Sequence, residues 1–145
     1  MAKLNIDNEL LAVSFFDDCR IIGIVAPVKD YQFIWQINQK LGLAFRVNHS
    51  LEIILIKKGR KYHFSVFEYM VPNSTLCYYL YNNEHDGEYL LPEFRHLDYL
   101  WLTKYEEVTD EDFQALMDHI RTLNIAQLVT ELPAIKIKNK QHLIL

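Results

Sequence analysis

Residues 51–82 read LEIILIKKGRKYHFSVFEYMVPNSTLCYYLYN. Apolar and aromatic residues come here in short runs that polar turns keep interrupting. Residues 51–57 and 61–70 are two such runs. Lys57-Lys58-Gly59-Arg60 joins them, a polar connection with one glycine that suits a tight hairpin turn. Val71-Pro72-Asn73-Ser74 is a second turn and leads into residues 75–82, rich in Tyr and Leu. Strands joined by connections this short run antiparallel, because a parallel crossover needs a dozen residues or more.

The pattern extends in both directions. Upstream, Leu43, Phe45 and Val47 alternate with Ala44, Arg46 and Asn48, as in a strand with one buried face. Downstream, residues 83–87 (Asn-Glu-His-Asp-Gly) form a polar loop, and residues 97–104 alternate again. Residues 43–104 thus predict an antiparallel meander of about five strands.

Helices flank it. Tyr31, Ile34, Trp35, Asn38 and Leu41 recur at helical spacing, and Gly42 follows as a helix-ending residue, so a helix is predicted over residues 28–41. Thr109 or Asp110 can cap a second helix, with Asp110, Glu111 and Asp112 at the positive end of its dipole. Its apolar stripe is Phe113, Leu116, Met117, Ile120 and Leu123. A further stripe, Ile125, Leu128, Val129 and Leu132, extends the predicted C-terminal helices over residues 110–132. The run Arg20–Val25 stops at Ala26-Pro27 and reads either as a buried strand or as an extended arm. Ile135, Ile137 and the ending Leu143-Ile144-Leu145 predict a tail docked on the body. The class is α+β, in a single domain spanning residues 1–145.

Composition narrows the function. Fifteen Lys and Arg stand against nineteen Asp and Glu, a net charge of −4, which opposes general nucleic-acid binding. Cys19 and Cys77 lack zinc or CxxC spacing and read as thiols in a reducing cytosol. No apolar run approaches membrane-spanning length, and no secretory signal is seen at the start, so a cytoplasmic protein is expected. The six histidines show no HxH, HExxH or HxxxH spacing, and neither GxGxxG nor GxxxxGK[ST] occurs. No metal or cofactor is expected.

Residues 91–99 read Leu-Pro-Glu-Phe-Arg-His-Leu-Asp-Tyr. This resembles the signature of the IPExxxVDY family: Pro92, Glu93, Asp98 and Tyr99 match identically, and Leu91 and Leu97 stand for Ile and Val. Trp35…Asn38, Tyr81-Asn82-Asn83 and His142-Leu143-Ile144 are similar to the family layout as well. The resemblance implies a bacterial protein of about this length and names no reaction.

Physically, Pro92 suits the entry to a strand or a rigid turn. Glu93 can accept hydrogen bonds from loop N–H groups. Asp98 sits in an apolar segment, where a carboxylate needs donors or solvent. The structural reading is that both carboxylates pin the loop. The functional one is that they form a ligand-binding or acid–base pair, with His96 close by. Eight of nine tyrosines lie between residues 62 and 105. Tyr79 and Tyr81 share one strand face and Tyr78 takes the other. They suit sheet packing, or, as candidate interface aromatics, a protein surface. With Lys57, Lys58, Arg60 and Lys61 they could instead stack RNA bases. The reading that follows is a non-catalytic protein-interaction or dimerising module, whose partner is another protein or a second copy. An RNA-associated accessory protein is the alternative, and a small-molecule binder or enzyme using Glu93 and Asp98 comes third.

Overall fold

The computed structural model describes residues 14–145. Ten strands follow in chain order: β1 Arg20–Val25, β2 Arg46–Val47, β3 Ile53–Lys57, β4 Arg60–Phe64, β5 Val66–Met70, β6 Cys77–Asn82, β7 Glu84–His85, β8 Glu88–Tyr89, β9 Tyr99–Lys104 and β10 Leu128–Glu131. Two helices lie wholly within the described residues, α1 Asp30–Leu41 and α2 Asp110–Arg121, and residues 14–16 are helical as well. Six strands make one antiparallel sheet in the order β10-β1-β9-β6-β5-β2. β3–β4 and β7–β8 are separate hairpins. The class expected from the sequence, α+β with an antiparallel sheet, is the class observed.

Both faces of this sheet are apolar, and both are covered. Ile22, Ile24, Leu80, Tyr99, Trp101 and Val129 pack with Phe33, Ile34 and Ile37 of α1 and Phe113, Met117 and Ile120 of α2. On the other face lie Ile21, Tyr79, Tyr81, Leu100 and Leu102. Neither of the two sheet-packing helices covers that side. Phe16, from the helical residues 14–16, and Phe64, Leu90, Leu91, Leu97, Leu132, Ile137 and Leu143, from loops, hairpin and tail, do. β9 is buried at every position. Each fully buried side chain of this size contributes about 1.5–3 kcal/mol, so the loop layer matters as much as the helical one.

The caps behave as their residue types dictate. Gly42 ends α1 at φ 68°, where a Cβ would be strained. Thr109 Oγ1 accepts from the Asp112 N–H at 3.1 Å and opens α2. Leu116 is only half-buried, at the margin of the α2 stripe. Among the described residues no helix is long and apolar enough to cross a membrane.

Of the two readings open for Arg20–Val25, the structure shows the buried strand, second from the sheet edge between β9 and β10. Three details depart from the expectations. The C-terminal helices expected over 110–132 are one helix followed by a strand. Residues 128–131 pair with β1, and a four-residue stripe is too short to sustain a helix against a free strand edge. The meander also breaks at Ser65: β4 stays with β3, whereas β5 enters the sheet, so the run 61–70 serves two sheets. Finally, α1 buries Phe33, Ile34, Ile37 and Leu41, and leaves Tyr31 and Trp35 outside. The tail docks as expected through Ile137 and Leu143, in short 3-10 turns, with Ile135 exposed.

Candidate functional site

The signature loop runs from the end of β8 to the start of β9. Pro92 stands in the first turn of a 3-10 helix, Pro92–Phe94, where its missing N–H is no loss. The Phe94 N–H donates to the Leu91 carbonyl at 2.9 Å, and the Leu97 N–H to the Phe94 carbonyl at 3.0 Å. Leu91 and Leu97 are buried in the second core and hold the loop against the sheet.

Glu93 reaches the tail. Its carboxylate accepts from the N–H groups of Lys138 at 2.7 Å and Asn139 at 2.9 Å, and from Asn139 Nδ2 at 2.9 Å. Partial burial pushes its pKa up, but the Asn139 amide and the two N–H groups outweigh that and hold it below its ordinary value.

Asp98 and Tyr99 serve a different segment. Asp98 precedes β9, and its carboxylate accepts from the buried Ala26 N–H at 2.8 Å. Its own N–H donates to the Ile24 carbonyl at 2.8 Å. The Tyr99 ring stacks on Phe33 at 4.4 Å, and its hydroxyl donates to the Val28 carbonyl at 2.6 Å. Burial, with Asp30 and Asp98 nearby, raises the Tyr99 phenol and keeps it a donor. Together they fix residues 26–28, the connection from β1 into α1. The two carboxylates of the signature thus hold two separate segments, the tail and the β1–α1 connection.

The residue that organises the loop is Asn83, the last of the Tyr81-Asn82-Asn83 stretch before the signature. Asn83 is completely buried directly after β6. Its Nδ2 donates to the carbonyls of Phe94 and Leu97, each at 2.9 Å, and its Oδ1 accepts from the Leu91 N–H at 2.9 Å. Its main chain donates to the Asp98 carbonyl and accepts from the Leu90 N–H. The signal available was an amide ending an apolar strand just before the signature.

The tyrosines are where alternation put them. Tyr79 and Tyr81 belong to the second core, whereas Tyr78 packs, half-buried, on the helical side. The Tyr81 hydroxyl donates to the Leu143 carbonyl at 2.7 Å and fastens the tail. Tyr79 and Tyr81 are therefore interior residues and offer no interface surface, because the loop layer and tail lie over their face.

The basic hairpin is partly neutralised. Lys57 pairs with Glu88 at 3.0 Å, and Arg60 pairs with Asp86 and lies over the Tyr62 ring. Lys58 and Lys61 make no ion pair among the described residues. His96 is exposed and its ring lies 6.3 Å from Phe94. His85 lines an open, polar cleft of about 550 Å³ with Asp30, Asp86, Asp98 and Tyr99. Among the described residues no group of three His, Cys, Asp or Glu could hold a metal ion. Burial pushes the Cys19 thiol up to about 12, so it stays protonated.

One surface leaves two large aromatic side chains in water. On the outer side of α1, Tyr31 is 65% and Trp35 59% exposed. With Val28, Gln32, Gln36 and Ile125 they line an apolar groove of about 590 Å³. No family model, curated protein or solved structure matches the chain. What the molecule does has to be argued from these two features, the internally satisfied signature loop and the aromatic groove.

Proposed function

We propose that the chain is a non-catalytic protein-interaction module that docks through the outer face of α1. The observation that carries this is the exposed Tyr31–Trp35 pair. Large aromatics on a surface leave apolar area in water, and tyrosine and tryptophan dominate the anchors of protein interfaces. Within α1 they stand apart, since the other side chains of the predicted helix stripe are at least half-buried. The same proposal includes membership of the IPExxxVDY family, supported by Pro92, Glu93, Asp98 and Tyr99. In this reading the signature is a structural staple: its carboxylates and phenol are engaged with residues 26, 28, 138 and 139. An RNA platform is less well supported, because Lys57 and Arg60 are ion-paired and Tyr79 and Tyr81 are interior.

The test is affinity capture from native extract supplemented with an untagged copy of the chain. Wild type, Trp35→Ser and Lys61→Ser are compared. Trp35→Ser should lose the captured protein while Lys61→Ser keeps it. Identical capture by wild type and Trp35→Ser would show that this face is not the docking surface.

A further inference from the structure

We infer that the occupant of the α1 groove is a second copy of this chain, with the two α1 helices antiparallel and Trp35 of each copy beside the two-fold axis. This deepens the interaction reading and rests on it.

The face complements itself. On the outer side of α1 lie Tyr31, Gln32, Trp35, Gln36 and Gln39, with the half-buried Val28 beside them, and none is charged. The outer face of α2, by contrast, is acidic: it shows Asp110, Glu111, Asp112 and Asp118, in a chain that carries −4. Two α2 faces would repel one another, whereas two α1 faces meet no like charge. In a two-fold contact each surface must fit itself. With the helices antiparallel and Trp35 central, Tyr31 of one copy lies across from Gln39 of the other, since each is four residues from Trp35. A phenol and an amide can exchange a hydrogen bond there, twice by symmetry. Antiparallel helices also set opposite dipole ends side by side.

The area fits a weak dimer. At 65% and 59% exposure, Tyr31 and Trp35 each present about 100–150 Å² of ring surface. Both copies with their flanking Val28, Ile125 and glutamines bring the contact to about 1,000 Å², the lower end of specific interfaces. Binding through such an area is reversible, in the micromolar to sub-millimolar range.

The sheet gives no competing route. At the β10 edge Arg121 Nη2 donates to the Val129 carbonyl at 2.8 Å, occupying a group that edge pairing would need. The opposite edge strand, β2, is two residues long.

Sedimentation equilibrium of the full chain from about 5 to 500 µM tests this. A reversible monomer–dimer equilibrium is expected, with Trp35→Glu weakening it at least about tenfold while the urea midpoint stays unchanged. The chain has two tryptophans, and Trp101 is fully buried. The red edge of the emission therefore reports Trp35 and should shift to the blue as the dimer forms. Trp35→Cys should oxidise to a covalent dimer, and Ile54→Cys, also exposed but on the far hairpin, should not. A monomer at every concentration, a dimer indifferent to Trp35→Glu, or no Trp35→Cys cross-link would each overturn the inference. Monomeric behaviour combined with Trp35-dependent capture of a different protein would overturn the second copy alone. Monomeric behaviour without any such capture would overturn the interaction reading as well.

Discussion

Replacing Asn83 should unfasten the signature loop and cost the molecule much of its stability. Asn83→Ala removes three side-chain hydrogen bonds at once. The Phe94 carbonyl keeps a partner, the Leu97 N–H. The Leu97 carbonyl and the Leu91 N–H are left without one, in residues that are 1% and 0% exposed. An orphaned buried polar group costs about 1–3 kcal/mol, so two of them cost about 2–6 kcal/mol. That is a large share of the roughly 5–15 kcal/mol that holds a domain folded. Asn83→Asp is the sharper variant. It preserves shape and the acceptor facing Leu91, but aims a carboxylate oxygen at two carbonyls. Its folded-state pKa must rise, so its stability deficit should shrink as pH falls and the new carboxyl protonates. Urea unfolding followed by circular dichroism at pH 7 and pH 5 measures both effects. A deficit under about 1 kcal/mol for Asn83→Ala, or an Asn83→Asp variant as stable as wild type at pH 7, would refute the idea that this amide organises the loop.

Two further predictions concern the same layer. A Cβ on Gly23 in β1 would sit 2.5 Å from Leu97 Cδ1 and 3.3 Å from Leu132, so Gly23→Ala should destabilise by about 1–3 kcal/mol in urea unfolding. Leu97→Ala in the same chain should relieve part of that strain, giving a non-additive double mutant. Glu93, whose pKa is lowered in the folded state, contributes stability that is fully present above the ordinary glutamate value and is lost as pH falls from there through the lowered one. Glu93→Gln should flatten this acid limb. Proteolysis should then cut near residues 138–139 faster in the variant at neutral pH, and an unchanged cutting rate would contradict the clamp.

The parts of the fold that the sequence displayed are those with local causes. The 57–60 turn closes on Lys58 and Gly59, both at positive φ, and hairpin geometry demands just such a pair. Gly42 and Thr109 act within their own turns. What the sequence did not display depends on partners far along the chain. Residues 125–132 carry helical spacing and strand-forming residues at once, and the free edge of β1 decides between them. In α1 two apolar stripes overlap, sharing Ile34 and Leu41. The sheet accepts the one with Phe33 and Ile37, since Phe33 stacks on Tyr99, and this turns Tyr31 and Trp35 outward. For the signature, a need for donors at Glu93 and Asp98 was legible from their chemistry. That the donors would be Lys138, Asn139 and Ala26 was not, because no spacing rule links residues so far apart. The role of Asn83 is not legible in the sequence, because a buried amide looks like a loop residue until its three partners are in place.

The position of β1 also bears on how the chain reaches this state. Ile22 pairs with Trp101 on one side and Glu131 on the other, partners about 80 and 110 residues further along, so these contacts close only after long loops have been ordered. A ribosome releasing the chain from its N-terminus delivers β1 first and its neighbours last. The strand Ile21-Ile22-Gly23-Ile24-Val25 must wait unpaired while the hairpins of residues 53–85, whose contacts are local, are already able to form. Folding should therefore be slow for a domain of this size. The waiting strand is the segment most in need of shelter during synthesis, and in the finished molecule its Ile22 and Ile24 are fully buried.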